Sequence, residues 1–565
     1  MTYKLSRRGL LGATAGVGVI TAISTLPAGA DPEPGTSPTH DKQLYAWASD
    51  TWASMTAMTD EKSGLVADNI DGDLLKRSGY TSPTNIGGYL WCCIVARDLG
   101  IISGGECSTR ISKTLATLAR IEKHEPSGMF YNWYDEATGA VLYTWPEDGN
   151  VVYPFVSSVD MGWLGAALHV VAEADPANSI AASKLFEAMR WDMFYDKKFG
   201  PKGEDGPTGG IYGGFWTAKP GQEADLLPSA IGEGEDVWYT KNHYDTTISE
   251  ARMVTYLGII RGQLPDKVYF STFRTFPPPY DWQEMTPVGE EVTYLGVPVY
   301  QGAYTYRGFQ VVPGWGGSMF EELMPDLFVP EATWAPNSWG RNHPLHVRAQ
   351  REHGLDDAKY GYWGFSPCSD PAGGYREYGV DALGMNPEGY FSDQEKTNYV
   401  STKPPTTYGD GVVTPHAAFL AMMYEPENAR ENLAKLQKDF KSYGTGGFYD
   451  AVAVKSGKVA KRHLSLDQSM CLGALGNVML SGRLHKYFAT PAVERALRPL
   501  LAMEEFNVEP TAVPSPEPTK PTPTPSTKPT SPTPKPSTKP SPTPSATVPR
   551  PTQPTNKPGL PGTGV

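Results

Sequence analysis

Six times along the chain a Ser or Thr stands just ahead of a long apolar run, and that recurrence restricts the fold more than any other feature. The runs are Thr84 before 86–95, Ser157 before 159–168, Thr247 before 248–254, Ser318 before 319–324, Thr414 before 415–423 and Ser465 before 466–472. A Ser or Thr hydroxyl accepts a hydrogen bond from an orphan N–H of a first helical turn, so each pattern predicts a helix start. Ser157 with Asp160, Thr247 with Glu250, Ser318 with Glu321 and Ser465 with Gln468 have the spacing of a capping box, and Thr414 with Pro415 is the proline version. More amphipathic stretches lie between them, at 110–123, 183–194, 347–354, 428–440 and 491–503. Apolar helices alternating with amphipathic ones predict an inner and an outer layer, that is, an all-α fold of the (α/α)6 barrel type. The inner helices of such a barrel run parallel, so their N-terminal ends share one mouth. Strand patterning at 129–143, 294–312 and 448–464, with turn residues at Thr138-Gly139 and Ser456-Gly457, predicts β-hairpin loop insertions rather than a second domain.

The two ends do not read as part of that body. Residues 510–565 hold 19 of the 52 prolines, contain no aromatic residue and are filled with Thr and Ser, so they cannot bury a core. The stretch ends in Leu560-Pro561-Gly562-Thr563-Gly564, the recognition sequence of a sortase, followed only by Val565. Ser6-Arg7-Arg8-Gly9-Leu10-Leu11 and Ala28-Gly29-Ala30 have the form of a twin-arginine export signal with its cleavage site. The expected organisation is therefore a signal over 1–30, a catalytic body over 31–508 and a Pro/Thr/Ser-rich spacer over 509–565. The expected address is outside the cell, reached through the twin-arginine translocase, with wall attachment by a sortase if the encoded chain continues.

Charge narrows the partners. The two ends carry net charges of +3 and +5, so the formal charge of −13 for the whole chain leaves −21 on the body. A body so acidic disfavours nucleic acid as a partner. Five scattered cysteines, without a Cys-x-x-Cys pair, predict buried thiols rather than a disulfide framework or a zinc site. No phosphate-binding glycine loop, zincin helix or nucleophile elbow occurs, and neither cofactor nor metal is expected. The chain is read as a monomer.

The predicted helix starts bring Asp160, Glu250 and Glu321 to the proposed mouth, with Asp245 just ahead of the third inner helix. Trp163, Tyr239, Tyr244, Trp315, Trp363, Tyr375, Tyr378 and Tyr408 are interleaved with them. Carboxyls among aromatics suit glycoside hydrolysis, which needs one acid to protonate the leaving oxygen and a second carboxylate to activate water or attack carbon. An acid at the third helical position also completes a capping box, and Glu322 is a rival to Glu321; spacing does not decide between these jobs.

Several segments bear on that choice. Trp315-Gly-Gly-Ser-Met-Phe-Glu-Glu-Leu-Met-Pro325 resembles the Ser-Met-Phe-Glu-Tyr-Leu-Met-Pro segment of the bacterial glucoamylase-like (glycoamylase) family, which includes endo-β-1,2-glucanases and a domain of cyclic β-1,2-glucan synthases. Further similar segments are Ile248-Ser-Glu-Ala-Arg252, 362–379, Asp410-Gly-Val-Val-Thr-Pro415, Gly447-Phe-Tyr-Asp450 and Leu466-Asp-Gln468, all in the family's order. The region with Ser82-Pro-Thr-Asn-Ile-Gly87 and 157–163 resembles the helical segment preceding this domain in many members.

The resemblance implies Glu250 and Glu321 as the acidic pair, with Asp160 and Asp245 in support. It implies that Trp363, Asp370, Tyr375, Tyr378 and Asp410 line the sugar subsites, where Trp163, Trp315 and Tyr408 are also candidates. Glu322 departs from the pattern, where an aromatic is usual, and 265–313 is a long insertion between the two glutamates. The implied activity is hydrolysis of an extracellular oligo- or polysaccharide. A polysaccharide lyase and a non-catalytic wall-displayed glycan binder remain as alternatives.

Overall fold

A computed structural model describes residues 41–199, 209–221, 226–232, 235–278, 282–387 and 408–508. The predicted export signal and Pro-rich spacer lie outside the described residues. In chain order the helices are α1 (Lys42–Met58), α2 (Pro83–Asp98), α3 (Gly104–Arg120), α4 (Ser158–Ala174), α5 (Ser179–Ala188), α6 (Arg252–Ile260) and α7 (Met319–Leu323). They continue with α8 (Glu331–Trp334), α9 (Trp339–Glu352), α10 (Pro415–Ala421), α11 (Pro426–Asp439), α12 (Ser465–Met479), α13 (Arg483–Phe488) and α14 (Pro491–Leu501).

Burial separates two kinds of helix. All seven residues of α10 are buried, as are 83–96 of α2 and most of α4 and α12. In α3, by contrast, Cys107, Ile111, Thr114, Leu115 and Leu118 are buried along one stripe while Glu106 and Lys113 face water. The apolar helices pack on one another in turn, α2 on α4, α4 on α6, α7 on α10, α10 on α12 and α12 back on α2. Between α6 and α7 runs the insertion, built of a short 3-10 segment, Asp266–Ser271, and two hairpins, Glu291–Tyr294 with Val297–Tyr300 and Tyr304–Tyr306 with Phe309–Val311. The C-terminal α14 packs against α6 and α8 beside this segment. Glu504, just beyond α14, accepts from Arg274 Nε at 2.6 Å, Gln301 Nε2 at 2.7 Å and the Tyr269 hydroxyl at 2.8 Å.

Several sequence expectations change. The amphipathic helices α3 and α9 begin six and eight residues earlier than the apolar spacing suggested, and α1 was not anticipated. Ser82, not Thr84, caps α2, accepting from Asn85 N at 3.3 Å. Of the four expected capping boxes only Ser318–Glu321 is complete; Ser157 accepts from Asp160 N alone. Thr247 instead hydrogen-bonds Thr272 at 2.8 Å and α6 starts only at Arg252, so Glu250 caps nothing. Gln468 donates to Phe448 O rather than closing a box with Ser465. The strand pattern at 294–312 takes in the second strand of one hairpin, 291–300, and all of another, 304–311. A four-stranded antiparallel sheet also forms, in the order Phe155–Ser157, Gly214–Trp216, Glu235–Thr240, Leu226–Gly232. Its first strand leads straight into α4. All five cysteines are free and buried.

Candidate active site

The N-terminal ends of the apolar helices converge. Thr84, in the first turn of α2, donates to Asp160 Oδ1 at 2.6 Å in the first turn of α4. With its side-chain amide oriented to match its neighbours, Asn132 donates to the other Asp160 oxygen at 2.7 Å. One turn further along α4, Trp163 Nε1 donates to Glu250 Oε2 at 2.7 Å. Burial pushes Glu250 up to about 8, against the Trp163 hydrogen bond and reinforced by the nearby charges of Asp160 and Glu321. Glu250 therefore holds its proton at neutral pH and can deliver it.

Glu321 lies across from it on α7. Its Oε2 accepts from Ser318 Oγ at 2.9 Å, Gly316 N at 3.3 Å and Ser318 N at 3.4 Å. Burial still raises it to about 7, with Glu377 adding to the shift. The local sequence explains the approach: Gly317 has φ +71°, and a Cβ there would meet Val380 O at 2.1 Å. Gly314 is near the carboxyl too, since a Cβ on it would stand 3.2 Å from Glu321 Oε2. Ile248 bridges to Gly314 in parallel, tying the Glu250 segment to the Glu321 segment. The neighbouring Glu322 turns away and is fully buried, accepting from Asn342 Nδ2 at 3.1 Å and paired with His343 Nδ1 at 2.6 Å. Asp245 is raised to about 6 by burial.

A second pair of buried acids lies near His416 of α10: Asp467 in the first turn of α12 and Asp450 just ahead of the strand Ala451–Ala453. His416 Nδ1 is 3.1 Å from Asp467 Oδ2, and Asp450 Oδ2 accepts from Ser369 N at 2.6 Å. Burial lowers His416 to about 4, so it is neutral and the contact is no ion pair. Burial raises Asp467 to about 7 and Asp450 well above the usual range, with the neighbouring Asp467 charge adding to the shift of Asp450. Burial, reinforced by the charges of Asp467, Asp450 and Glu250, raises the half-buried Tyr375 well above its usual range. Asp450 and Asp467 were within recognised segments but carried no assigned role; only the pairing of distant strand and helix starts reveals them.

The candidate subsite residues divide. Tyr375 and Trp315 are half-buried; Trp315 directly precedes Gly316, whose N–H reaches Glu321, and its ring lies 5.9 Å from Trp282. Trp163 and Trp363 are no sugar platforms, being 0% and 2% exposed; the first orients Glu250 and the second packs in the core. Tyr378 is 3% exposed, and the buried Asp370 pairs with Arg376 at 2.6 Å. Asp410 is exposed and holds a hairpin turn through Ser456 N at 2.7 Å, while Tyr408 packs edge-on to His353. Asp410 and Tyr408 thus have structural work away from the glutamates.

Among the described residues, Asp326, Glu331 and His343 have ligand atoms within 4.8 Å of one another, as a metal trio would. Both Glu331 oxygens, however, accept from Arg252, at 2.7 and 2.9 Å. Burial opposes charge on His343, yet Asp326, Glu322 and Glu331 hold it protonated up to about 10. The trio is built as an ion-pair network.

Comparison with known proteins agrees with the resemblance read from the sequence. Residues 290–491 match the Glycoamylase family model, described as "Putative glucoamylase", and residues 46–196 match a model described as a protein of unknown function, DUF3131. The cyclic β-(1,2)-glucan synthase NdvB of Rhizobium meliloti is 28% identical over 269 residues, spanning 45% of this chain but 8% of that protein. An endo-β-1,2-glucanase from Chitinophaga pinensis superposes with a TM-score of 0.56 at 16% identity, over 81% of this chain and 97% of that one. For an endo-β-1,2-glucanase from Talaromyces funiculosus the values are 0.56, 14%, 83% and 91%.

Proposed function

We propose that this chain is an exported glycoside hydrolase that cleaves a β-1,2-linked glucan, its helices completing an (α/α)6 barrel with the acids at one mouth. The observation that carries the reading is Glu250. Its carboxyl lies outside any helix cap, is held by one indole N–H and keeps its proton to about 8. A carboxylic acid in that state is a general acid for the leaving oxygen. Glu321, held to about 7 with three donors on one oxygen, supplies the charged partner that activates water or attacks carbon. Trp315 and Tyr375 offer aromatic and hydroxyl surface to a sugar. The partial match to a β-1,2-glucan synthase and the likeness to two β-1,2-glucanases support that linkage. The Arg7-Arg8 signal supports export, and Leu560–Gly564 supports attachment by a sortase.

The test is a panel of purified glucans with reducing-end and ultraviolet assays on wild type, E250Q and E321Q. Reducing ends from β-1,2-glucan, lost in E250Q, support the reading; unsaturated absorbing products would make it a lyase and no product a binder. Asp467 is a rival for the second carboxyl, because burial raises it to about 7 as well. D467N abolishing turnover while E321Q retains it would move the role there.

A further inference from the structure

Arg252 stands two residues after Glu250 and is buried behind it. All five N–H groups of its guanidinium are used. Nε and Nη2 donate to the two Glu331 oxygens at 2.7 and 2.9 Å. Nη1 donates to Ser249 O at 2.9 Å and to Glu321 O at 2.7 Å, and Nη2 donates to Glu322 O at 2.5 Å. The flat ion also lies 4.4 Å from the centre of the Trp339 ring. One side chain thus clasps the main chain immediately before Glu250 and the main chain of Glu321 itself. Glu331 is fixed in turn by the Tyr256 hydroxyl at 2.6 Å and by His343 Nε2 at 3.3 Å.

We infer that Arg252 is a positioning residue that sets the spacing between the Glu250 and Glu321 carboxyls, and that only a guanidinium can fill the place. It touches neither carboxylate of that pair and is not itself catalytic. Its effect runs through two backbone segments that lie on either side of a long insertion and are also joined by the Ile248–Gly314 bridge. A Lys ammonium has three donors on one nitrogen and cannot reproduce five bonds in a plane. Misplacing reacting groups by about 1 Å costs on the order of 10²-fold in rate.

The inference rests on the reading that Glu250 and Glu321 act as a pair, and the experiment separates the two. R252K, E250Q, E321Q and R274K are assayed on β-1,2-glucan at a temperature where each is folded by circular dichroism. Arg274 is an equally buried arginine, paired with Glu504 in the outer layer, and controls for loss of stability alone. The expected result is a fall in kcat of about 10²-fold for R252K with KM within about threefold of wild type, while R274K keeps both values. R252K with normal kcat beside inactive E250Q and E321Q overturns the inference and leaves the pair intact. Active E250Q and E321Q overturn the pair, and the inference with it. If R252K gives no folded protein, E331Q is judged by the same split, with about a tenfold fall in kcat expected.

Discussion

The Trp163 indole donates to Glu250 Oε2 at 2.7 Å, and this single bond links the first turns of α4 to the acid ahead of α6. Trp163 is wholly buried, so its ring packs against Phe328 while its nitrogen aims the carboxyl. A buried indole N–H needs an acceptor, and here the acceptor is the candidate general acid.

For E250Q the expected loss is on the order of 10²–10⁴ in kcat, measured by reducing-end release, because an amide cannot give up a proton. Stability moves the other way. The folded carboxyl titrates near 8, above its ordinary value of about 4.3 in an unfolded chain. The folded state therefore binds the proton more tightly, and the stability this supplies is lost as pH rises from about 4 to about 8. Gln has no such dependence. The melting temperature of E250Q relative to wild type should climb across that window and be flat below it.

The pH profile follows from the pair. Activity on β-1,2-glucan should rise as Glu321 ionises near 7 and fall as Glu250 ionises near 8, giving a narrow optimum between them. In W163F the indole hydrogen bond, which favours the ionised Glu250, is gone. Its alkaline limb should move to higher pH while the acid limb stays, with kcat lowered about tenfold by the freed carboxyl. An alkaline limb that moves down would contradict this assignment.

The helix starts were legible because Ser, Thr and Pro leave a local signature, and local signatures do not depend on what packs above them. Glu250 shows the limit. Thr247 and Glu250 have capping-box spacing, yet Thr247 is drawn to Thr272 and the helix begins two residues after the glutamate. Tertiary hydrogen bonding removed the bland role and left the acid free. At Glu321 the capping role is kept, in the same carboxyl proposed for the reaction. The exposure of aromatics was not legible: Trp163, Trp363 and Tyr378 share the composition of a sugar site but are core. Asp450 and Asp467 meet only because Ala451–Ala453 leads into a hairpin that returns to α12, and no spacing rule spans that return.

Glu321 and Glu322 are adjacent but should fail in different ways. E321Q keeps a side chain that completes the capping box, so it should cost at most about 1 kcal/mol of stability and still lose on the order of 10²-fold or more in kcat. E322A leaves His343 without the carboxylate at 2.6 Å and strips Asn342 of an acceptor in a fully buried place. Breaking such a buried pair costs about 3–5 kcal/mol. Chemical denaturation combined with single-temperature kinetics below both midpoints separates the two behaviours, with E322A retaining most of its turnover.

Glu504 tests how the insertion is held. Arg274, Gln301 and Tyr269 all belong to the segment between α6 and α7, and all three donate to this one carboxylate just past α14. Arg274 and Glu504 are both 0% exposed at the side chain, so E504A leaves a guanidinium in the interior with no counter-charge. A loss of about 3–5 kcal/mol is expected. The loss should be unevenly distributed, because the hairpins of the insertion are joined to the apolar helices at few points while α2, α4 and α12 pack along their whole lengths. Local opening of the insertion then lies below global unfolding in free energy, and native-state proteolysis of E504A should cut first within 265–313. The candidate catalytic acids hang on α4, α7 and the segment before α6, so kcat on a short oligosaccharide should survive in the uncut protein. Cleavage that begins instead in the helices would mean that Glu504 supports the core and not the insertion.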